Sequence, residues 1–156
     1  MTEKELRRAI AFGREQRGIE FKGPGSRADT SFQAKVIRAM LGMANKPDGG
    51  TVVLGVEDDG TNLHLRGLTP QELVTWAYDD LASKVTVYAD PYIDFEINEV
   101  EIDSAKVLVI QIEQFDKVPV ICKRSYSDIL RDGALYVRRR GKMRLLKFPL
   151  IQKCAK

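Results

Sequence analysis

Residues 51–56 constrain the fold of this chain more than any other segment. They read Thr-Val-Val-Leu-Gly-Val, a nearly continuous apolar run with no alternating polar residues. A strand with one face in water alternates apolar and polar side chains, whereas a strand covered on both faces is apolar throughout. The run therefore predicts the central strand of a sheet that carries other elements on both faces.

Helical patterns lie on both sides of this strand in the sequence. Residues 2–16 and 69–85 each open with a capping box, in which a threonine is followed three positions later by a glutamate. Residues 30–45 place apolar side chains at helical spacing, with Thr30 or Ser31 as the expected cap. We therefore predict three helices, the third of them long and unbroken.

Short segments of alternating polarity predict the remaining strands, at residues 19–22, 93–102, 106–114, 118–122 and 134–138. The apolar parity shifts between Ile97 and Val100, which predicts a β-bulge. Residues 57–60, Glu-Asp-Asp-Gly, are read as a turn. The order α-β-α-β-α-β-β-β-β predicts an α/β (α+β) fold, a mixed β-sheet packed with helices. We expect residues 1–156 to form a single domain.

Charge is unevenly distributed along the chain, although the net charge is only +3. Residues 79–116, the acidic segment, carry 2 basic and 10 acidic side chains, a balance of −8. Residues 117–156, the basic segment, carry 12 basic and 2 acidic side chains, a balance of +10. Such a basic segment attracts polyanions, which favours a nucleic-acid partner. The alternative is that the basic segment neutralises the acidic one within the fold.

Composition narrows the remaining classes of function. No apolar run approaches the roughly 18–20 residues that span a bilayer, and the N-terminus lacks the apolar core of a signal peptide. We therefore expect a cytoplasmic protein with no membrane partner. Cys122, Cys154 and His64 are too few for a closed zinc site, so no zinc is expected and both cysteines are read as reduced thiols.

Three acids are candidates for metal-dependent catalysis. Glu20 lies in the first predicted strand, Glu15 precedes it, and Asp58 follows the buried strand. Carboxylates at neighbouring strand ends can converge, and three hard oxygen donors suit Mg²⁺ or Mn²⁺, which can activate water against a phosphodiester. Lys22, on the same side of its strand as Glu20, could balance charge or contact the phosphate. The alternative is that these acids are solvated turn residues.

The basic segment supplies candidate contacts to nucleic acid. Alternation along a strand places Tyr136, Arg138 and Arg140 on one face, where arginine could bind phosphate and tyrosine could stack on a base. Further positive charge comes from Arg139, Lys142 and Arg144. The alternative is a solvated basic edge that deters pairing between sheets.

Taken together, the acids, the glycine-rich segment before the buried strand and the basic segment resemble the Schlafen AlbA-like domain family. The family pattern is E-x-x-x-x-E-F-K, then A-N-x-x-G-G-x-x-x-x-G-V-x-D-x-G, then a late Tyr-Val-Arg. The matching residues of this chain are Glu15, Glu20-Phe21-Lys22, Ala44-Asn45, Gly49-Gly50, Gly55-Val56, Asp58, Gly60 and Tyr136-Val137-Arg138. One departure is the loop between Asn45 and Gly49, which holds three residues where the family usually has two.

The resemblance implies one of two functions. Many members of the family are described as DNA-binding or transcription-regulator modules, whereas the animal Schlafen proteins and some prokaryotic relatives are metal-dependent endoribonucleases that cut tRNA and rRNA. Their active site uses two glutamates and an aspartate, which match Glu15, Glu20 and Asp58, with Glu57 as the competing third acid. We therefore expect an endoribonuclease dependent on Mn or Mg that acts on structured RNA such as tRNA. The alternative is a module that binds DNA or RNA without cleaving it.

The resemblance also bears on assembly. Larger members of the family place two such lobes side by side around a basic channel, and a lone lobe can rebuild that channel only by pairing with itself. Two-fold pairing is the commonest association of identical chains. We therefore expect a homodimer, in which the acidic segment of one chain meets the basic segment of the other.

Overall fold

The fold is a mixed β-sheet with helices on both faces, as the sequence predicts. The computed structural model describes residues 1–13, 18–139 and 142–146. The helices are α1 (Glu3–Phe12), α2 (Thr30–Ala44), α3 (Pro70–Val74) and α4 (Tyr78–Tyr88). The strands are β1 (Ile19–Lys22), β2 (Gly50–Leu54), β3 (Val56–Asp58), β4 (Leu63–Leu65), β5 (Ala89–Asp90), β6 (Phe95–Ile102), β7 (Ala105–Ile112), β8 (Ile121–Cys122), β9 (Leu135–Arg139) and β10 (Lys142–Leu146).

The main sheet has four strands in the order β1-β2-β7-β6. β1 runs parallel to β2, and the other two pairs are antiparallel. Val52, Val53 and Leu54 of β2 are fully buried. This confirms the central strand predicted from its apolar sequence. Three two-stranded sheets, β3–β4, β5–β8 and β9–β10, complete the strand pairing of the described residues.

Apolar side chains form two clusters, one on each face of the main sheet. Val52 and Leu54 contribute to the larger cluster, which includes the buried side of α2. Val53 and Phe21 contribute to the smaller cluster, which includes Leu6 of α1. Because successive side chains of a strand point to opposite faces, β2 needs consecutive apolar residues at Val52, Val53 and Leu54 to supply both clusters.

The predicted β-bulge in β6 is wrong. β6 and β7 pair one to one from Phe95 opposite Ile112 to Ile102 opposite Ala105. The parity of the apolar residues shifts because β6 serves both clusters. Ile97 packs against the larger cluster and Val100 against the smaller one.

The first two helices differ from prediction at their ends. The capping box of Thr2 and Glu5 begins α1 as expected, but the helix ends at Gly13, whose φ of 84° is left-handed. Residues 14–16, predicted as helix, lie outside the described residues. The cap of α2 is Asp29, whose carboxylate accepts a hydrogen bond from the Phe32 amide, and not Thr30 or Ser31. Aspartate is among the best residues for this position.

The third predicted helix is two helices, α3 and α4. The capping box of Thr69 and Glu72 begins α3 as predicted. The break between α3 and α4 contains Trp76, which is 2% exposed and donates its indole N–H to the Gly25 carbonyl at 2.9 Å. A buried indole needs such an acceptor, and the break in the helix allows Trp76 to reach it.

Two further strands differ from the sequence prediction. Residues 57 and 58 belong to β3, which pairs antiparallel with β4, so the turn lies later than predicted. β10, which pairs with β9, is not predicted, although residues 142–145 alternate between charged and apolar side chains. None of the helices in the described part of the chain is long and apolar enough to cross a membrane.

Candidate functional site

Glu20 lies at the centre of the candidate site, on the edge strand β1. Its neighbour Phe21 faces the smaller apolar cluster, so alternation turns Glu20 to the opposite face of the sheet. The residue is only 6% exposed. A carboxylate this deeply buried requires partners for both of its oxygens.

Two cations supply those partners. Oε1 of Glu20 accepts a hydrogen bond from Nη1 of Arg138, and Oε2 lies 2.9 Å from Nζ of Lys22. Nη2 of Arg138 also donates to the Ile19 carbonyl at 2.7 Å. The Arg138 side chain is fully buried, whereas that of Lys22 is 21% exposed. Glu20 therefore has one oxygen bound to a fully buried arginine and one oxygen beside a partly exposed lysine.

In space, the β3–β4 hairpin begins beside the last residue of β1. The Gly55 amide donates to the Lys22 carbonyl at 2.8 Å, which places the start of β3 beside the last residue of β1. Asp58 is exposed, and its Oδ1 accepts from the Gly60 amide at 2.9 Å. The competing acid Glu57 pairs with Nε of Arg66 at 2.9 Å. Of the two, Asp58 is therefore the acid that no cation holds among the described residues.

The next acid along the hairpin, Asp59, forms a tight local turn. Its carboxylate accepts from the Thr61 and Asn62 amides, and it lies 2.7 Å from Nε2 of His64. The Asn62 bond first, and then those of His64 and Thr61, lower the pKa of Asp59 to about 2. These bonds fix the tip of the hairpin, and they give His64 a partner that its sequence context did not suggest.

The donor chemistry of the predicted acids suits a hard cation. Arg138 and Lys22 occupy one position on each oxygen of Glu20, and a carboxylate has about four acceptor positions, so capacity remains for a further ligand. Glu15 lies outside the described residues. Among the described residues, no three histidine, cysteine or acidic side chains are grouped closely enough to hold a metal ion.

The expected roles of Tyr136 and Arg138 on nucleic acid are wrong. The two residues share a face of β9 as predicted, but that face is turned inward, and they are 5% and 4% exposed. Tyr136 packs in the larger apolar cluster, and its hydroxyl accepts from the Arg131 amide and donates to the Ile129 carbonyl. Neither side chain is available for stacking on a base or binding a phosphate.

The other predicted basic residues lie on or beside the β9–β10 hairpin. Arg139 is opposite Lys142 in the strand register, and Arg144 is opposite Val137. Arg140 lies outside the described residues.

Asn45 belongs to the family motif, but the sequence assigned it no role beyond the end of a helix. Its Nδ2 donates to the Val120 and Tyr136 carbonyls at 2.9 Å each, and its Oδ1 accepts from the Val120 amide at 2.8 Å. Asn45 therefore ties α2 to β9, the strand that carries Arg138. The signal was a polar residue at the buried end of an apolar helix.

Gly49, in the same motif, is required by backbone geometry. Its φ is 68°, and a Cβ at this position would lie 2.1 Å from the Ile112 carbonyl oxygen. Asn45 and Gly49 of the motif are thus architectural: Asn45 joins α2 to β9, and Gly49 allows the close approach of the chain to β7.

Comparison with protein families identifies the chain. The family model described as Schlafen, AlbA_2 matches residues 15–147. The chain belongs to the Schlafen AlbA_2 family. This confirms the predicted resemblance, and three of the described motif residues are in contact, since Glu20 binds both Lys22 and Arg138. No curated protein sequence matches the chain.

Solved structures share the Schlafen AlbA_2 fold of this chain. One is the N-terminal domain of a Nitrosomonas europaea protein described as related to the ATP-dependent DNA helicase RecG, with 23% identity and a TM-score of 0.63 over 91% of this chain and 90% of that one. Another is the DIP2311 protein from Corynebacterium diphtheriae, with 18% identity and a TM-score of 0.59 over 92% of this chain. The chain spans about a quarter of the DIP2311 protein, 26% of its length.

Proposed function

We propose that this Schlafen domain binds nucleic acid where β1 meets the β9–β10 hairpin. The observation that carries the proposal is the buried pair of Glu20 and Arg138, which fastens the basic hairpin beside Lys22. The helicase-related description of the Nitrosomonas structure also supports a nucleic-acid partner.

Positive charge is concentrated around this edge of the sheet. Lys22 lies at the end of β1, and a Cβ added at Gly18, just before β1, would lie 3.9 Å from Nζ of Lys46. Arg139, Lys142 and Arg144 occupy the adjoining hairpin. A polyanion that follows β1 would thus meet lysines at both ends of the strand and the basic hairpin beside it.

Replacing Arg139 and Arg144 with glutamine should weaken RNA binding and flatten its salt dependence. Each phosphate that the protein binds releases counterions, so the slope of log affinity against log salt should fall by roughly one unit for each phosphate that is no longer bound. Fluorescence anisotropy with a labelled RNA at several salt concentrations measures this slope.

A matched control is Arg7→Gln with Arg8→Gln, which removes the same charge from exposed positions of α1. α1 packs on the face of the sheet opposite to that of α2 and Tyr136. If the control flattened the slope as much as the hairpin variant, net charge and not the hairpin would govern binding.

We further propose that the domain is an endoribonuclease that cuts structured RNA such as tRNA. Glu15, Glu20 and Asp58 would hold a Mg²⁺ or Mn²⁺ ion, which when bound supplies a Lewis acid and an activated water. Lys22, partly exposed beside Oε2 of Glu20, is suited to contact the phosphate of the substrate. Arg138 orients Glu20 through the hydrogen bond from its Nη1 to Oε1.

Asp58→Asn should reduce cleavage of tRNA by about a hundredfold, because it removes one of the three carboxylates proposed to hold the metal ion, and even residues that only support such ligands contribute about 10–100-fold. The asparagine oxygen can still accept from the Gly60 amide, so the hairpin keeps its turn while the charge is removed. Glu57→Gln is the matched variant, and we expect it to cleave at the wild-type rate. Gel assays of tRNA with Mn²⁺ measure both rates.

The Asp58 and Glu57 variants also identify the third acid, and the wild type tests whether the domain binds RNA without cleaving it. If Glu57→Gln were inactive and Asp58→Asn active, the third acid would be Glu57. If the wild type bound RNA with the salt dependence described above but did not cut it at any Mn²⁺ or Mg²⁺ concentration, the domain would be a binding module without catalysis.

We propose, finally, that the domain is a homodimer. Among the described residues, no ion pair joins the acidic segment to the basic segment, and this is the pairing that a second chain would supply. Exposed carboxylates of the acidic segment line one groove, where they are joined by Asp48; they are Asp94, Glu96, Glu113 and Asp116. Light scattering at micromolar concentration in moderate salt should give twice 17.6 kDa. A mass near that of one chain across this range would contradict the dimer.

A further inference from the structure

We propose that Arg138 is a positioning residue that sets the orientation of the Glu20 carboxylate. This inference rests on the proposed function, in which Glu20 acts on RNA. It assigns Arg138 a role different from the phosphate contact expected from its place in a basic run.

The contacts of Arg138 fix both partners at once. One nitrogen of the guanidinium binds Oε1 of Glu20, and another binds the carbonyl of Ile19, the residue just before it, at 2.7 Å. Since the guanidinium is planar and rigid, holding two neighbouring acceptors determines its direction of approach. The carboxylate plane of Glu20 is set in turn by the donor on Oε1.

The two oxygens of Glu20 therefore have partners that differ in their exposure to solvent. Oε1 faces a side chain with no exposed surface, whereas Oε2 faces Lys22, which is partly exposed. Oε2 is therefore the oxygen whose cationic partner a ligand can reach. Arg138 therefore determines which oxygen of Glu20 is presented to a ligand.

Lysine cannot replace arginine in this role. A lysine at position 138 would keep the positive charge, but its single nitrogen cannot reproduce the fork between Glu20 and the Ile19 carbonyl. Residues that orient a ligand-binding group typically contribute about 10–100-fold to its function.

The test compares Arg138→Lys with Arg7→Lys. Arg7 also binds two acceptors, Glu3 and Asp103, but its side chain is 49% exposed and lies on α1. At saturating tRNA and Mn²⁺, we expect single-turnover cleavage by Arg138→Lys to be at least about tenfold slower. Its affinity for RNA should stay within about twofold of wild type, and Arg7→Lys should match wild type in both. Rates are compared at a temperature where circular dichroism shows each variant folded.

A second measurement needs neither cleavage nor a variant that folds. In ¹⁵N-labelled wild type, the two terminal nitrogens of Arg138 should give separate signals, because hydrogen bonds to Glu20 and Ile19 prevent rotation of the guanidinium. An averaged signal would overturn the proposal, as would a folded Arg138→Lys that cleaves within twofold of wild type. If the wild type does not cleave RNA, the endoribonuclease proposal fails, and the nitrogen signals still decide whether Arg138 fixes Glu20.

Discussion

Replacing Glu20 with alanine is expected to lower the free energy of unfolding by about 3–5 kcal/mol. The substitution leaves the Arg138 guanidinium buried without its carboxylate, and the unfolded chain would restore that charge to water. Urea unfolding followed by circular dichroism measures the change. A loss below about 1 kcal/mol would mean that the Glu20–Arg138 pair is solvated in solution.

Two further variants separate the buried pair from charge in general. Glu99→Ala removes an exposed carboxylate, 3.9 Å from Nζ of Lys106, and should change stability by less than about 1 kcal/mol. The double variant Glu20→Ala with Arg138→Met should be more stable than Glu20→Ala alone, since no charge is left buried. Because Glu20→Ala weakens the fold, it is a poor test of catalysis on its own, and Asp58→Asn is the cleaner variant.

Asn45→Ala is expected to lower the free energy of unfolding by about 3 kcal/mol or more. The amide of Asn45 makes three hydrogen bonds to backbone groups of Val120 and Tyr136, and each buried group left unpaired costs about 1–3 kcal/mol unless water reaches it. The loss should extend to function, because these bonds hold β9 and therefore Arg138. Thermal unfolding and the tRNA cleavage assay measure the two effects.

Asn98→Ala provides the comparison for Asn45→Ala. Asn98 is exposed on β6, so its replacement should leave stability within about 0.5 kcal/mol of wild type. If Asn45→Ala and Asn98→Ala unfolded at the same urea concentration, the bonds of Asn45 would not hold β9.

Sequence patterns correctly predicted the helix starts and strands that depend on side chains only a few positions apart. β1 lies at the predicted residues, and the capping boxes at Thr2 and Thr69 form, because each depends on side chains a few positions apart. The central position of β2 also followed from its sequence, since only a strand covered on both faces is apolar at every position.

The candidate site was harder to predict because its contacts are distant in the chain. Alternation correctly placed Tyr136 and Arg138 on one face of β9, but it could not say that this face is covered. The cover comes from the larger apolar cluster and from Glu20, which is 118 positions away from Arg138. A run of arginines resembles a nucleic-acid contact in sequence, whether or not one of them is paired with a buried acid.

The separation of 118 positions between Glu20 and Arg138 also means that the two residues are synthesised at different times. The chain leaves the ribosome from its N-terminus, so Glu20 and Lys22 emerge long before β9 is made. Until then the carboxylate lacks its inward partner, and contacts between distant segments form late because long loops must close first. The Glu20 site is therefore completed only after β9 has emerged from the ribosome, so a shorter nascent chain cannot hold the Glu20 carboxylate in its final orientation.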